Sequence, residues 1–60
     1  MAITESKFRA YHDIKKNSLK KLEDQEIIKI ALEEYDVNLR KVDIELIKKN
    51  WQSLMWKYIN

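Results

Sequence analysis

Apolar residues along much of this chain recur at intervals of three and four, which is the period of one face of an α-helix. The most regular run is Ile44, Ile47, Trp51, Leu54 and Tyr58, and it predicts a helix that packs one apolar stripe against a neighbour. Further apolar residues lie at other angles of the same helix, namely Val42, Leu46, Met55, Trp56 and Ile59. The apolar surface of this helix is therefore wider than one stripe.

The N-terminal segment predicts a first helix. Thr4 is a good N-cap residue, and Glu5 lies in the first turn, where the helix dipole favours negative charge. The helical period then turns Phe8, Tyr11 and Ile14 inward. We therefore expect helix to follow Thr4 directly.

The end of this first helix has two interpretations. A break at Asn17-Ser18 would allow Ser18 or Asp24 to cap a second helix, whereas the alternative is one helix that runs unbroken from Thr4 past Leu22. In either case the expected apolar face of the second segment comprises Leu19, Leu22, Ile27, Ile28, Ala31, Leu32 and Tyr35.

A second break is expected at Asp36-Val37-Asn38. Asp and Asn are the residues other than glycine that best tolerate the left-handed conformation, and both cap helices. A third helix would then run to about Ile59.

Composition favours the same fold class. The chain contains neither glycine nor proline, whereas small strand-rich domains need tight turns that favour glycine. A chain of 60 residues buries only about 60% of its unfolded surface, and this one has no cysteine for a disulfide. We expect a single all-α domain spanning residues 1–60, a small bundle of two to four helices, three by the breaks above, which oligomerisation could complete.

Hydropathy and the first residues predict an intracellular, cytoplasmic protein. No apolar run approaches the roughly 20 residues of a membrane span. Residues 1–7 carry an acid where a signal peptide would carry an apolar core. We therefore expect no contact with membranes.

Catalytic and metal chemistry find no support in the sequence. His12 is the one histidine, and its helical neighbours Phe8 and Lys16 include neither a nucleophile nor an orienting carboxylate, so we interpret it as a surface residue. Zinc would need further nitrogen or sulfur ligands, and the acids of Glu23–Glu26 lack the spacing and glycine of a calcium loop. We expect a protein that is not an enzyme, with no cofactor, metal or small-molecule substrate.

The C-terminal helix is the expected contact surface. Two tryptophans and a tyrosine lie within residues 51–58, and these residue types are enriched at interface hot spots. The simpler interpretation is the central helix of a three-helix core. We predict a regulatory or inhibitory module that self-associates or binds a partner protein through Ile44, Ile47, Trp51, Leu54, Trp56 and Tyr58.

Charge falls into three blocks, which are basic over residues 5–22, acidic over 23–36 and basic again from 37. The simplest interpretation is solvated faces with modest complementarity, since exposed ion pairs contribute about 0 to 1 kcal/mol each. The formal net charge of +2 does not by itself indicate nucleic acid. The alternative is a phosphate-binding surface formed by Lys15, Lys16, Lys20, Lys21, Asn38, Arg40 and Lys41.

Residues 31–42 resemble the helix-turn-helix pattern of DNA-binding regulators. Asp36 stands where that motif usually has glycine, Asn38 where a polar cap is common, and Val42 where the second helix turns an apolar residue inward. This resemblance implies the alternative function, a helix-turn-helix transcriptional regulator that binds DNA.

The longer stretch of residues 22–51 also resembles the two-helix dimerisation hairpin of the Sin-type repressor and antirepressor family of Gram-positive bacteria. The matching features are the acidic opening at Glu23–Glu26, the turn ending at Val37, the inward Val42 and Leu46, and Trp51 beyond them. This resemblance implies pairing between proteins rather than contact with DNA.

Overall fold

The structure is a computed structural model that describes residues 3–59. These residues contain no strand, so the predicted all-α fold class is confirmed. The chain forms three main helices, one short helix and a closing π-helical segment, in the order α1 (Glu5–Asn17), α2 (Asp24–Tyr35), α3 (Lys41–Lys49), α4 (Trp51–Leu54) and the π segment (Met55–Ile59).

Helix α1 begins where the sequence predicts. The Oγ1 atom of Thr4 accepts a hydrogen bond from the backbone N–H of Lys7 at 3.4 Å, as an N-cap does. Phe8, Tyr11 and Ile14 are buried, which confirms the expected inward face. Local capping and apolar spacing together are sufficient to define this helix.

The connection between α1 and α2 decides between the two interpretations of the first break. Helix α1 ends at Asn17 and α2 starts at Asp24, so the single helix running past Leu22 is wrong. The N-cap of α2 is Glu23, rather than Ser18 or Asp24. Leu19 lies in this connection and is fully exposed instead of packing inward.

The second break is confirmed. Asp36 adopts the left-handed conformation, with φ 54° and ψ 38°, which Asp tolerates better than most residues. The backbone N–H groups of Asp36 and Val37 both donate to the carbonyl of Ala31, the latter at 3.0 Å. These bonds reach back to a carbonyl near the end of α2 and so fix the turn against the helix terminus.

The C-terminal helix reaches Ile59 as predicted, but it is interrupted at Asn50. Asn50 has φ −110° and ψ 29°, and both its backbone N–H and its side-chain amide donate to the carbonyl of Leu46 at 3.0 Å. The N–H of Leu54 donates to the carbonyl of Asn50 at 2.9 Å, so helical hydrogen bonding resumes at once. One expected helix is therefore two pieces, α3 and the stretch of α4 with the π segment.

The helices surround one apolar core, and α1 packs against α2, α3 and the π segment. The five largest fully buried side chains come from three helices and from the turn before α3; they are Phe8, Ile27, Leu39, Ile44 and Ile47. Every helix of eight or more residues therefore contributes to the same core.

Some residues that were expected to face the core are exposed instead. Leu32 and Tyr35 on α2 are exposed. Val42, which both resemblances place inward, is 44% exposed, whereas the adjacent Asp43 is only 2% exposed. Helix α3 is thus rotated so that a carboxylate, not a valine, faces α1.

No helix among residues 3–59 combines the length and the hydropathy that a membrane crossing requires.

Candidate functional site

The inner side of the C-terminal segment packs aromatic rings onto α1. The ring of Trp51 lies 5.2 Å from Phe8, 6.1 Å from Tyr11 and 6.0 Å from His12, between ring centres. The ring of Tyr58 lies 6.1 Å from Phe8. Aromatic pairs at such distances stabilise by about 0.5 to 1.5 kcal/mol beyond the area they bury. These contacts fix the segment on α1.

Hydrogen bonds reinforce this attachment. The hydroxyl of Tyr58 donates to the carbonyl of Ile3 at 3.0 Å. The guanidinium of Arg9 donates to the carbonyl of Tyr58 at 2.8 Å and also binds the carboxylate of Glu5. The π segment is therefore held through its backbone to α1 and through a side chain to Ile3, just before α1.

His12 belongs to this aromatic packing and is not the exposed residue that its sequence position suggests. Its side chain is 18% exposed and stacks on Trp51 at an interplanar angle of 24°. Its Nδ1 atom lies 3.5 Å from a carboxylate oxygen of Asp13. The described residues contain no group of three or more His, Cys, Asp or Glu side chains that could hold a metal ion.

The outer side of the same segment is apolar and exposed. Trp56 is 74% exposed and Ile59 37% exposed. We use the name C-terminal face for the side chains that line this shallow groove of about 610 Å³, which are Trp51, Gln52, Met55, Trp56 and Ile59. Lysines at positions 48, 49 and 57 surround it in sequence, and no acid follows Glu45. The segment that carries this apolar face is therefore positively charged.

The structure divides the six predicted partner-binding residues between core and surface. Ile44 and Ile47 are 0% exposed and Leu54 is 8% exposed, so these three face the chain's own core and are inaccessible to a partner in this fold. For these three residues the structure agrees with the simpler interpretation given above, in which the helix belongs to the core. Trp51 and Tyr58 are half-buried against α1, and Trp56 alone of the six is largely exposed.

Sequence reasoning did not select Gln52, Met55 and Ile59 as contact residues. The available signal was the excess apolar surface outside the regular stripe, to which Met55 and Ile59 belong. A helix covered on one side by its own core presents such residues on the other side. The residues outside the stripe were thus the better candidates for a partner.

A second exposed apolar surface lies at the end of α2 and has the opposite charge. Leu32 is 55% exposed and Tyr35 37% exposed, one helical turn apart. Residues 30–39 include three acids and no base. We use the name acidic face for the exposed end of α2, where the pair Leu32 and Tyr35 has acids on either side; it comprises Leu32, Glu33, Glu34, Tyr35 and Asp36.

Lysines from three parts of the chain meet at a cleft of about 620 Å³, which we call the lysine cleft. Lys15 comes from α1, Lys21 from the connection, and Lys41 and Lys48 from α3. The Nζ atom of Lys48 lies 3.4 Å from a carboxylate oxygen of Asp24. The remaining lining residues are Leu22, Glu23, Gln25 and Ile28.

A smaller pocket of about 270 Å³ shares Lys15 and Lys48 with the lysine cleft and is completed by Tyr11 and Trp51. Burial raises the pKa of the Tyr11 phenol above its ordinary value, and the positive charge of Lys48 partly offsets this. Cationic and aromatic side chains are therefore adjacent here.

The seven residues predicted for nucleic-acid binding do not form one surface. Lys15, Lys21 and Lys41 line the lysine cleft, and Lys48, which was not selected, completes it. The others lie outside the cleft and are exposed, namely Lys16, Lys20, Asn38 and Arg40.

Arg40 has a structural role with Asp43. Arg40, not Asn38, is the N-cap of α3, and its Nε lies 3.2 Å from the Asp43 carboxylate, which Lys7 approaches at 3.1 Å. Burial alone would raise the pKa of Asp43, but hydrogen bonds from Arg40 and Lys7 outweigh it and lower the pKa below its ordinary value. The Arg40 pKa is raised by the same hydrogen bond. This network joins α1 to the start of α3.

No protein-family model matches this chain, and no curated protein or solved structure is significantly similar to it.

Proposed function

We propose that this chain is a non-catalytic protein-interaction module of the cytoplasm, regulatory or inhibitory in role, that acts by self-association through its C-terminal face. The observation that carries the proposal is the 74% exposure of Trp56 beside Met55 and Ile59, on a segment whose other side is fixed to α1. Folding of one copy does not bury this tryptophan. A large exposed aromatic side chain within an apolar groove is typical of an interface hot spot.

Charge favours a second copy as the occupant. Lys49 and Lys57 lie close to the C-terminal face in sequence, whereas the acidic face carries apolar side chains among three acids. Contact between the C-terminal face of one copy and the acidic face of another would pair apolar with apolar and positive with negative. A two-fold dimer would form this contact twice, because each copy offers both surfaces.

Sedimentation equilibrium of the purified chain tests this proposal. We expect reversible dimers, and we expect Trp56→Ala to weaken dimerisation by roughly 2 kcal/mol, or about thirtyfold, as hot-spot truncations do. Leu19→Ala is the matched control, since Leu19 is fully exposed but lies in the connection between α1 and α2. Monomers at every concentration, or equal weakening by the control, would contradict self-association through this face.

Charge reversal identifies the surface that the C-terminal face contacts. Glu33→Lys with Glu34→Lys should weaken the dimer, and combining these changes with Lys49→Glu and Lys57→Glu should restore it. If Trp56→Ala abolishes the dimer but the charge reversal has no effect, the interface consists of the C-terminal faces of both copies.

A further inference from the structure

The lysine cleft concentrates positive charge that the fold does not use. Among the described residues, Lys48 is paired with Asp24, but no carboxylate lies within ion-pair distance of Lys15, Lys21 or Lys41. These lysines come from distant positions in the sequence and line one cleft. Like charges brought together repel one another, and a bound anion relieves that repulsion.

The acids of the cleft do not cancel this charge. Glu23 and Asp24 are the two carboxylates in its lining, against four lysines. Asp24 is already paired with Lys48. Glu23 lies at the N-cap of α2, where its backbone N–H donates to the carboxylate of Glu26. The cleft therefore keeps a positive excess that suits a polyanion.

An aromatic ring beside the lysines favours a polyanion that also carries flat rings. Lys15 and Lys48 also line the smaller pocket with Trp51, whose ring is half-buried, whereas Tyr11 in the same pocket is only 2% exposed. Proteins bind single strands by placing phosphates along cationic side chains and stacking bases on aromatic rings. A duplex hides its base faces, and simple phosphates have none.

We propose that the lysine cleft and the pocket beside Trp51 together bind a short stretch of single-stranded nucleic acid. The lysines would contact its phosphates, and a base would stack against the accessible part of the Trp51 ring. The cleft volume of about 620 Å³ lies within the roughly 300–1,000 Å³ of ordinary ligand pockets, so it has room for a short stretch of a strand. This site shares the Trp51 side chain with the C-terminal face, but its lysines lie elsewhere and one copy of the chain supplies all of its lining.

Fluorescence anisotropy with a labelled oligothymidine of about twelve nucleotides measures the binding. Three or four phosphate contacts predict that affinity falls roughly 20- to 50-fold between about 50 and 200 mM salt, because each contact contributes about −0.7 to the logarithmic salt slope. Binding that is absent, or that does not respond to salt, would overturn the proposal.

Paired substitutions locate the site. Lys15→Gln with Lys41→Gln removes two cleft lysines and should lower the steepness of the salt slope by about 1.4 units. Lys16→Gln with Lys29→Gln removes the same charge from exposed positions that do not line the cleft, and it should leave the slope unchanged. Equal losses in both variants would mean general attraction to a positive surface and would overturn the site. Far-UV circular dichroism confirms that both variants remain helical.

Tryptophan fluorescence tests the base-stacking part. In a Trp56→Phe background, Trp51 is the one remaining tryptophan. Oligothymidine should quench its emission, and inorganic polyphosphate should compete for the cleft without quenching. Tighter binding of a duplex of equal length, or binding of oligothymidine without quenching, would overturn the assignment to single strands.

Discussion

Trp51 and Trp56 belong to the same C-terminal segment but lie in opposite environments. Trp51 contacts three rings of α1, whereas Trp56 is 74% exposed. A segment that covers a small core from one side can stabilise the fold only through that side. One side of the segment therefore holds the chain folded, and the other side remains exposed.

Replacing each tryptophan in turn with alanine should give the largest difference in the free energy of unfolding. Trp51→Ala should lower the free energy of unfolding by about 3 kcal/mol, because it removes a ring packed against Phe8 and His12. Trp56→Ala should lower it by less than about 0.5 kcal/mol, since its ring is mainly in water. Urea unfolding at concentrations that keep the chain monomeric measures both, and similar losses would refute the division.

Replacing Asp43 tests whether polar contacts also hold α1 to α3. Asp43→Asn removes the charge that binds Lys7 and Arg40 and should cost about 2 kcal/mol at neutral pH. Because the folded-state pKa is lowered, the carboxylate stabilises fully above its unfolded pKa of about 3.9 and loses this contribution as the pH falls through the folded-state pKa.

The pH dependence supplies the measurement and the control for this prediction. Thermal unfolding from neutral to strongly acidic pH should show the stability of the native chain approaching that of Asp43→Asn at the acidic end. A constant difference between the two chains across this range would contradict the role assigned to the Asp43 charge.

Tyr58→Phe should lower the free energy of unfolding by less than Trp51→Ala or Asp43→Asn does. It keeps the ring beside Phe8 but removes the hydrogen bond to the carbonyl of Ile3, at a cost of about 1 kcal/mol. Dimer affinity should not change, because the hydroxyl lies on the inner side of the segment. A greater loss in dimerisation than in thermal stability would place this hydroxyl in the interface instead.

Local signals predicted a large part of the fold. The start of α1 follows from the capping side chain of Thr4, and the second break follows from the tolerance of Asp36 for the left-handed conformation. The interruption at Asn50 has no such signal, because the apolar period continues across it. The interruption lies in the backbone at Asn50, and no glycine or proline marks it in the sequence, because the chain contains neither.

The candidate surfaces were harder to predict, because helical spacing shows which residues share a side but not what covers that side. Ile44 and Ile47 were correctly grouped, yet the chain's own core covers them. A charged residue is ordinarily expected outside, but Asp43 is buried with its carboxylate bound by the nearby Arg40 and by Lys7, which lies 36 positions away. The lysine cleft likewise exists only after folding.

Trp51 lines both the C-terminal groove and the pocket beside the lysines. A side chain shared in this way makes the two surfaces thermodynamically linked whenever an occupant changes its orientation. If a ligand in the pocket weakens self-association by some factor, dimer formation must weaken ligand binding by the same factor. Through the Trp51 ring alone, dimer formation and ligand binding would then each alter the affinity of the other, without any larger rearrangement of the helices.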